Sequence, residues 1–330
     1  MDAMLSLEGI EINRASDRRA MGLPETYAAC RFEDLSAELV ELRGLGTSEL
    51  LDALQRPESP LTRRFAAGTL LALAGDPRLE GDVSAMVEVP AARARIGLEP
   101  AHVDGVVDRY RGLGVLREWI EKECPAHDVE IAGFRMTALP VTNVEYRRFL
   151  EATSYPELPS SWALGRYPIE RANHPVYTVS AKAADDYASW VARRTGRRLR
   201  LPTEVEWEYA AAGPSRREFP WGDSWREGVC NTVELRALGT TPVGMFPEGA
   251  SPFGVLDLAG NVEEYVADDY WAYPGGEFVR DDLMSGRESY RVARGGSFSR
   301  FEDLARCRRR HGYFERSIYA MGFRLVESSS

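Results

Sequence analysis

The hydrophobic rhythm of the chain changes near residue 83. Before it, apolar side chains recur at helical spacing: Leu35, Leu39 and Leu42 make one stripe, and Leu50, Leu51 and Leu54 another. The run RRFAAGTLLALAGDPR then ends on Gly75 and Pro77, a stop followed by a breaker. Residues 1–82 are therefore expected to form a small N-terminal helical region. From Met86 the pattern alternates: MVEVP reads as a strand, and aromatic residues, Gly and Pro become frequent. Three helices are expected inside this second region. In PVTNVEYRRFL, Thr142 and Glu145 stand at capping-box spacing, and in LPTEVEWEYAAAG, Thr203 and Glu206 repeat it. In SAKAADDYASWVARRTG, Ala184, Tyr187, Ala188 and Val191 form an apolar stripe that Gly196 terminates. After Pro214 helical periodicity fades and turn residues crowd among aromatic ones. The pattern predicts a loop-rich α+β domain over 83–330.

Composition narrows the function classes. With 330 residues, 44% hydrophobic and 28% charged, the chain has the make-up of a soluble globular protein able to bury a sizeable core. A net charge of -10 argues against a nucleic-acid partner, which needs a basic face. No apolar run approaches the roughly 20 residues of a membrane span, and the first residues show no signal-peptide pattern, so no membrane partner and a cytoplasmic location are expected. Cys30, Cys124, Cys230 and Cys307 lie far apart with no CxxC pair, which predicts free thiols.

Several segments occur in a recognisable order: MVEVP, CPAHDVEIAGFRMTALPVTNVEYRRFL, HPVYTVSAKAADDYASW, RRLRLPTEVEWEYAAAG, FPWGD, CNTVE, GTTPVGMFPEGASPFGVLDLAGNVEEY, RVARGGSF and GFRLV. Together they resemble the formylglycine-generating enzyme (sulfatase-modifying factor) superfamily. The resemblance covers most of 86–326, leaves 97–122 as an insertion and implies a variant of the C-type lectin fold. That superfamily is functionally mixed. It includes copper oxidases that convert a sulfatase cysteine, the lectin-like half of iron-dependent sulfoxide synthases, siderophore-maturing oxidases and variable ligand-binding proteins, so the site residues must decide the function.

The copper oxidases hold their metal with two cysteines between GGS and GFR. Here the resemblance puts Cys307 at the second position and Glu302 at the first, and a carboxylate is a hard, poor ligand for Cu(I). The aromatic position in the GNVWEW pattern is Tyr265. Cys307, Glu302 and Tyr265 are the candidate catalytic residues, with Arg306, Arg308, Arg309 and Arg310 expected to lower the thiol pKa if Cys307 is exposed and a core position the alternative. Residues 1–82 contain no histidine, which removes the usual source of a three-histidine iron centre. The resemblance also implies structural calcium at Asn261, the Val262 carbonyl and Glu264, and again at Asn231, the Thr232 carbonyl and Glu234, all hard oxygen donors. Finally, 297–321 gathers Arg300, Phe301, Arg306, Arg308, Arg310, His311, Tyr313, Phe314 and Tyr319, a composition suited to binding a peptide or an anionic small molecule. Two functions follow. One is a tailoring oxidase, lacking the two-cysteine copper site, that acts on a peptide or small metabolite. The other is a recognition module without chemistry, joined to a protein partner through its N-terminal helices.

Overall fold

A computed structural model describes residues 5–329, so the first four positions of the expected helical region lie outside it. The N-terminal part forms α1 (Asp17–Ala20), α2 (Ser36–Leu42), α3 (Thr47–Gln55) and α4 (Leu61–Ala74). Gly75, at φ +99°, ends α4 where expected. These helices do not stand apart. Leu42, Leu50, Leu54 and Leu71 are buried in one cluster with Leu235, Met245 and Phe246 of the following region. Burial of each such side chain stabilises by about 1.5–3 kcal/mol. Gly68 of α4 lies so close to Pro242 that a Cβ there would meet the ring at 2.3 Å, so the helix docks through its backbone.

The chain continues through β1 (Met86–Val89) and β2 (Ala92–Ile96), then α5 (Val103–Arg109) and α6 (Arg117–Glu121) within 97–122. Next come β3 (His127–Ile131), β4 (Phe134–Thr137), α7 (Asn143–Thr153), α8 (Ala181–Thr195), β5 (Leu199–Arg200) and α9 (Glu204–Ala212). The last part holds β6 (Glu263–Asp269), β7 (Arg291–Arg294), β8 (His311–Gly312), β9 (Met321–Phe323) and β10 (Val326–Ser328). One sheet has the order β1-β4-β10-β5, a second is the hairpin β2-β3, and a third runs β8-β7-β6-β9. In the third, β6 pairs antiparallel with β7 but parallel with β9. The stretch joining β7 to β9 therefore has to leave the sheet and return on its far side, and it does so as a mostly irregular, buried coil.

Local chemistry explains the helix ends. Glu145 accepts the Thr142 N–H at 2.8 Å at the start of α7. At α9, Thr203 and Glu206 cap each other reciprocally, at 3.3 and 2.8 Å. Ser180 starts α8 and Gly196, at φ +69°, stops it. The core gathers Tyr146 and Phe149 of α7 with Tyr187 of α8 against Phe323 of β9. Among the described residues no helix is long and apolar enough to cross a membrane.

One buried ion pair ties two of these layers. Arg324, beside β9, gives Glu264 of β6 two hydrogen bonds of 2.7 Å and also donates to the Thr137 and Leu256 carbonyls. Both side chains are buried, and Glu264 also accepts from the Trp207 indole at 2.7 Å. Replacing one partner leaves the other charged and unpaired. Arg324→Met is expected to cost about 3–5 kcal/mol in chemical denaturation, far more than the exposed Arg147→Met.

His174 adds a pH dependence. It is fully buried with Nδ1 3.0 Å from the Thr240 hydroxyl, and burial lowers its pKa from 6.5 to about 3. Between those values the unfolded chain binds a proton there and the folded chain does not, so stability falls as pH falls through that window. His174→Gln is expected to flatten the drop in urea midpoint between about pH 7 and pH 4, measured against wild type.

Candidate functional site

The irregular segment begins with a turn that requires glycine. Gly295 and Gly296 have φ of +95° and +68°. A Cβ at Gly295 would lie 3.1 Å from the Trp207 ring, and one at Gly296 would lie 3.0 Å from the Leu304 backbone. Held this close to α9, residues 297–311 are buried apart from Glu302, which is half-buried. Such a coil has few ladder partners for its carbonyls, and arginine side chains donate both to carbonyls of the coil and to those of the segments packed on it. Arg294 donates to the Cys307 carbonyl at 2.7 Å, Arg310 to that of Lys122 at 2.9 Å, and Arg308 to that of Arg216.

The same arginines find carboxylates far away in sequence. Arg306 makes a bidentate pair with Glu123 at 2.9 and 3.0 Å and a further bond to Glu218, which also takes Arg308. Arg310 pairs with both oxygens of Glu204 at 2.7 and 2.8 Å and lies over the Tyr273 ring at 4.0 Å. Arg294 reaches Glu204 and Glu208, one helical turn apart on α9. Burial alone would raise the Glu204 pKa, but Arg310 and Arg294 hold it below the ordinary carboxylate value. This corrects the expectation of an arginine-lined recess: Arg306, Arg308 and Arg310 are spent inside the protein. Phe301 is also buried, against Leu7 and Val233, and Phe314 packs beside the core.

An open cleft does exist beside this segment. It has a volume of about 650 Å³ and is walled by Tyr265, Tyr290, Tyr313 and Tyr319, with Arg291, Arg316 and Glu157 among its polar residues. Tyr265 comes from β6, Arg291 from β7, and Glu157 is fixed from the start of α8 by the Ser180 N–H and hydroxyl, both at 2.7 Å. Arg291 is braced by Asp185 at 3.0 Å. Arg316 is held by Asp17 at 2.5 Å and by the Ala15 and Ile12 carbonyls, and the Tyr319 hydroxyl donates to Asn13 at 2.5 Å. The N-terminal residues 12–17 thus strap across one rim. Burial, with Tyr313 and Glu263 nearby, pushes the Tyr265 phenol well above its ordinary pKa, so it stays a hydrogen-bond donor. Of the cleft's residues, the sequence reading identified Tyr265, Tyr313 and Tyr319 and missed Glu157, Tyr290 and Arg291. The position of Arg291 at the head of the RVARGGSF motif was the one available signal.

The two other candidate catalytic groups do not join the cleft. Cys307 is completely buried within the core. Desolvation raises its thiol pKa far above the ordinary value, outweighing the opposing charge of Arg308. It is a packed side chain, not a poised nucleophile. Glu302 is pushed up to about 7 by burial, then by Glu234 and Asp303, and lies outside the cleft wall. His311 is buried against Glu263, with Nδ1 2.5 Å from Oε2, and stacks on Tyr319.

The donor sets can be tested against the implied metals. Glu264 already holds Arg324 and Trp207 with both oxygens, and Asn261 links two loops through Thr241 and Asn231. Calcium at Asn261, Val262 and Glu264 is therefore not supported. The second set differs: Asn231 Oδ1 and Glu234 Oε2 are buried oxygens without a partner, while Glu234 Oε1 takes the Glu302 N–H. For copper, Cys307 is the one thiol in the segment and it is sealed, so a soft two-thiolate set does not form. For iron, no group of three His, Cys, Asp or Glu side chains arranged for a metal occurs among the described residues.

The mixed helix-and-sheet architecture around this cleft is that of a formylglycine-generating-enzyme-like, C-type-lectin-like domain, as the comparisons with known proteins show. The chain belongs to the sulfatase-modifying factor enzyme 1-like domain family, whose model matches residues 75–329. It is 31% identical over 216 residues to the hercynine oxygenase of Mycolicibacterium smegmatis, covering 54% of this chain and 49% of that protein. It is 29% identical over 214 residues to the formylglycine-generating enzyme of Mycobacterium tuberculosis, covering 46% and 69%. The chain thus spans about half the length of the hercynine oxygenases it matches. PvdO from Pseudomonas aeruginosa superposes with a TM-score of 0.55 at 27% identity, over 74% of this chain and 94% of that one.

Burial of the thiols gives a direct check. Cys307 and Cys230 are buried, whereas Cys30 and Cys124 are half-buried. A thiol-reactivity titration of the native protein is expected to label Cys307 only as fast as the protein unfolds, with full labelling in denaturant. Rapid native labelling of Cys307 would restore it as a nucleophile.

Proposed function

We propose that the protein is an oxygen-dependent tailoring oxidase of its family, acting on a small metabolite or short peptide held in the tyrosine cleft. The cleft is the observation that carries this reading. Its volume falls within the roughly 300–1,000 Å³ typical of small-molecule sites, and its aromatic walls with a few fixed polar groups suit orientation of a planar ligand. The hercynine oxygenase and formylglycine-generating enzyme relatives support oxidative chemistry. In this reading Tyr265 donates a hydrogen bond to the ligand, Tyr313 stacks on it, Tyr319 backs the wall, and Arg291 and Arg316 pair with its acidic groups. Neither copper nor iron is given a role, because the donor sets do not match them. Structural calcium belongs to the proposal at Asn231, Thr232 and Glu234, supported by the two orphaned oxygens.

A second reading, recognition without chemistry, is favoured by the sealed Cys307. Oxygen uptake and calorimetric binding on one panel of phenolic and thiol-bearing metabolites and short peptides separate the two. The oxidase reading expects a ligand that both binds and drives oxygen consumption, with uptake reduced about tenfold or more in Tyr265→Phe, as for loss of one positioned donor. Binding without uptake for every ligand of the panel would leave the recognition module.

A further inference from the structure

A second, smaller cavity lies behind Tyr319, which is a wall of both spaces. Its volume of about 40 Å³ has room for roughly three waters, at ~10–15 Å³ each, or one carboxylate head. Four separate stretches enclose it. They are the N-terminal strap with Leu7 and Asn13, the 113–122 segment ending at Lys122, the loop at Asp281, and the coil carrying Arg300, Arg309 and His311. The strap lies outside the family match, so the chamber depends on what this chain adds to the shared domain.

Arg294 also keeps an unpartnered Nε, but of such arginines Arg300 and Arg309 are the two that line this chamber. They are 5% and 2% exposed, yet the Nε of each is buried without a hydrogen-bond partner. Glu263 lies 3.9 Å from Arg300 Nε and Asp303 lies 3.6 Å from Arg309 Nε, both beyond hydrogen-bond reach. The carboxylates nearby direct their bonds elsewhere: Asp281 to Lys122, and Glu263 to His311. Among the lining residues Lys122, Arg300 and Arg309 balance Asp281, Asp282 and Asp303 one for one, and Glu263 adjoins Arg300 from outside the lining. The chamber therefore offers directed donors rather than net charge. A buried guanidinium with an unused donor is costly, and a planar acceptor with lone pairs and no protons of its own answers it.

We infer that this chamber is a binding site for a carboxylate group, with Arg300 and Arg309 as its donors. The carboxylate belongs either to a small free acid or to the head of a larger ligand reaching past Tyr319 from the cleft. The inference does not require oxidase chemistry, so its failure would leave the oxygen-uptake result untouched, and the reverse.

The test is calorimetric titration of the full chain with sodium formate, acetate and 3-phenylpropionate, at constant ionic strength made up with chloride. Saturable binding strongest for formate or acetate assigns a free small acid; binding strongest for phenylpropionate assigns the head of a cleft ligand. In either case Arg300→Gln is expected to weaken binding by about tenfold, as for loss of a charge-assisted bond. Should that variant fail to fold, a wild-type crystal grown in formate decides. A planar ligand bonded to Arg300 and Arg309 supports the site. No saturable binding by any of the three acids, unchanged binding in Arg300→Gln, or water alone in the crystal overturns it.

Discussion

The fold rests on compensating guanidinium charge inside a coil that has little secondary structure. Arg294 and Arg310 converge on Glu204, Arg294 continues to Glu208, and Arg306 and Arg308 share Glu218 while Arg306 also clamps Glu123. The carboxylates come from three parts of the chain: Glu204 and Glu208 from α9, Glu218 from the loop after it, and Glu123 from just past the 97–122 segment. Removing water from so many charges is favourable only when every partner arrives in register. The coil, the helix and the insertion are consequently specified together, or not at all.

This arrangement also answers a backbone problem. A buried stretch without a ladder must find donors for its carbonyls, and a guanidinium brings five N–H groups on a fixed plane. Arg294, Arg308, Arg309 and Arg310 each pair with an acid and also serve a carbonyl. Lysine, with a compact and more strongly hydrated charge, fits that double task poorly. The one lysine in this interior, Lys122, has its pKa lowered to about 8 by burial, with Asp281 opposing the shift.

Much of the scaffold was legible because its signals are local. The capping boxes at Thr142 and Thr203, the apolar stripe of α8 and the stops at Gly75 and Gly196 each involve residues within a few positions, and the structure forms all of them. The site was legible only in part because its meaning is long-range. An arginine run reads as a ligand surface until Glu123 and Glu204, roughly a hundred or more residues away, are seen to consume it. Cys307 shows the same limit: its sequence neighbours are cationic, but burial outweighs them. Tyr313 and Tyr319 were identifiable as aromatic positions within 297–321, and Tyr265 as the one in the GNVEEY motif. Glu157 and Tyr290 were not, since only folding brings them to the same cleft.

The strap from Ile12 to Asp17 has a consequence for what shapes the mouth of the cleft. It supplies the oxygens that aim Arg316 and the amide that anchors the Tyr319 hydroxyl, although it precedes the family domain by some sixty residues. Substitutions in this strap can thereby alter the mouth of the cleft without disturbing the charge-locked coil beneath. The cleft is thus shaped in part by residues outside the shared domain, while the coil that floors it belongs to that domain.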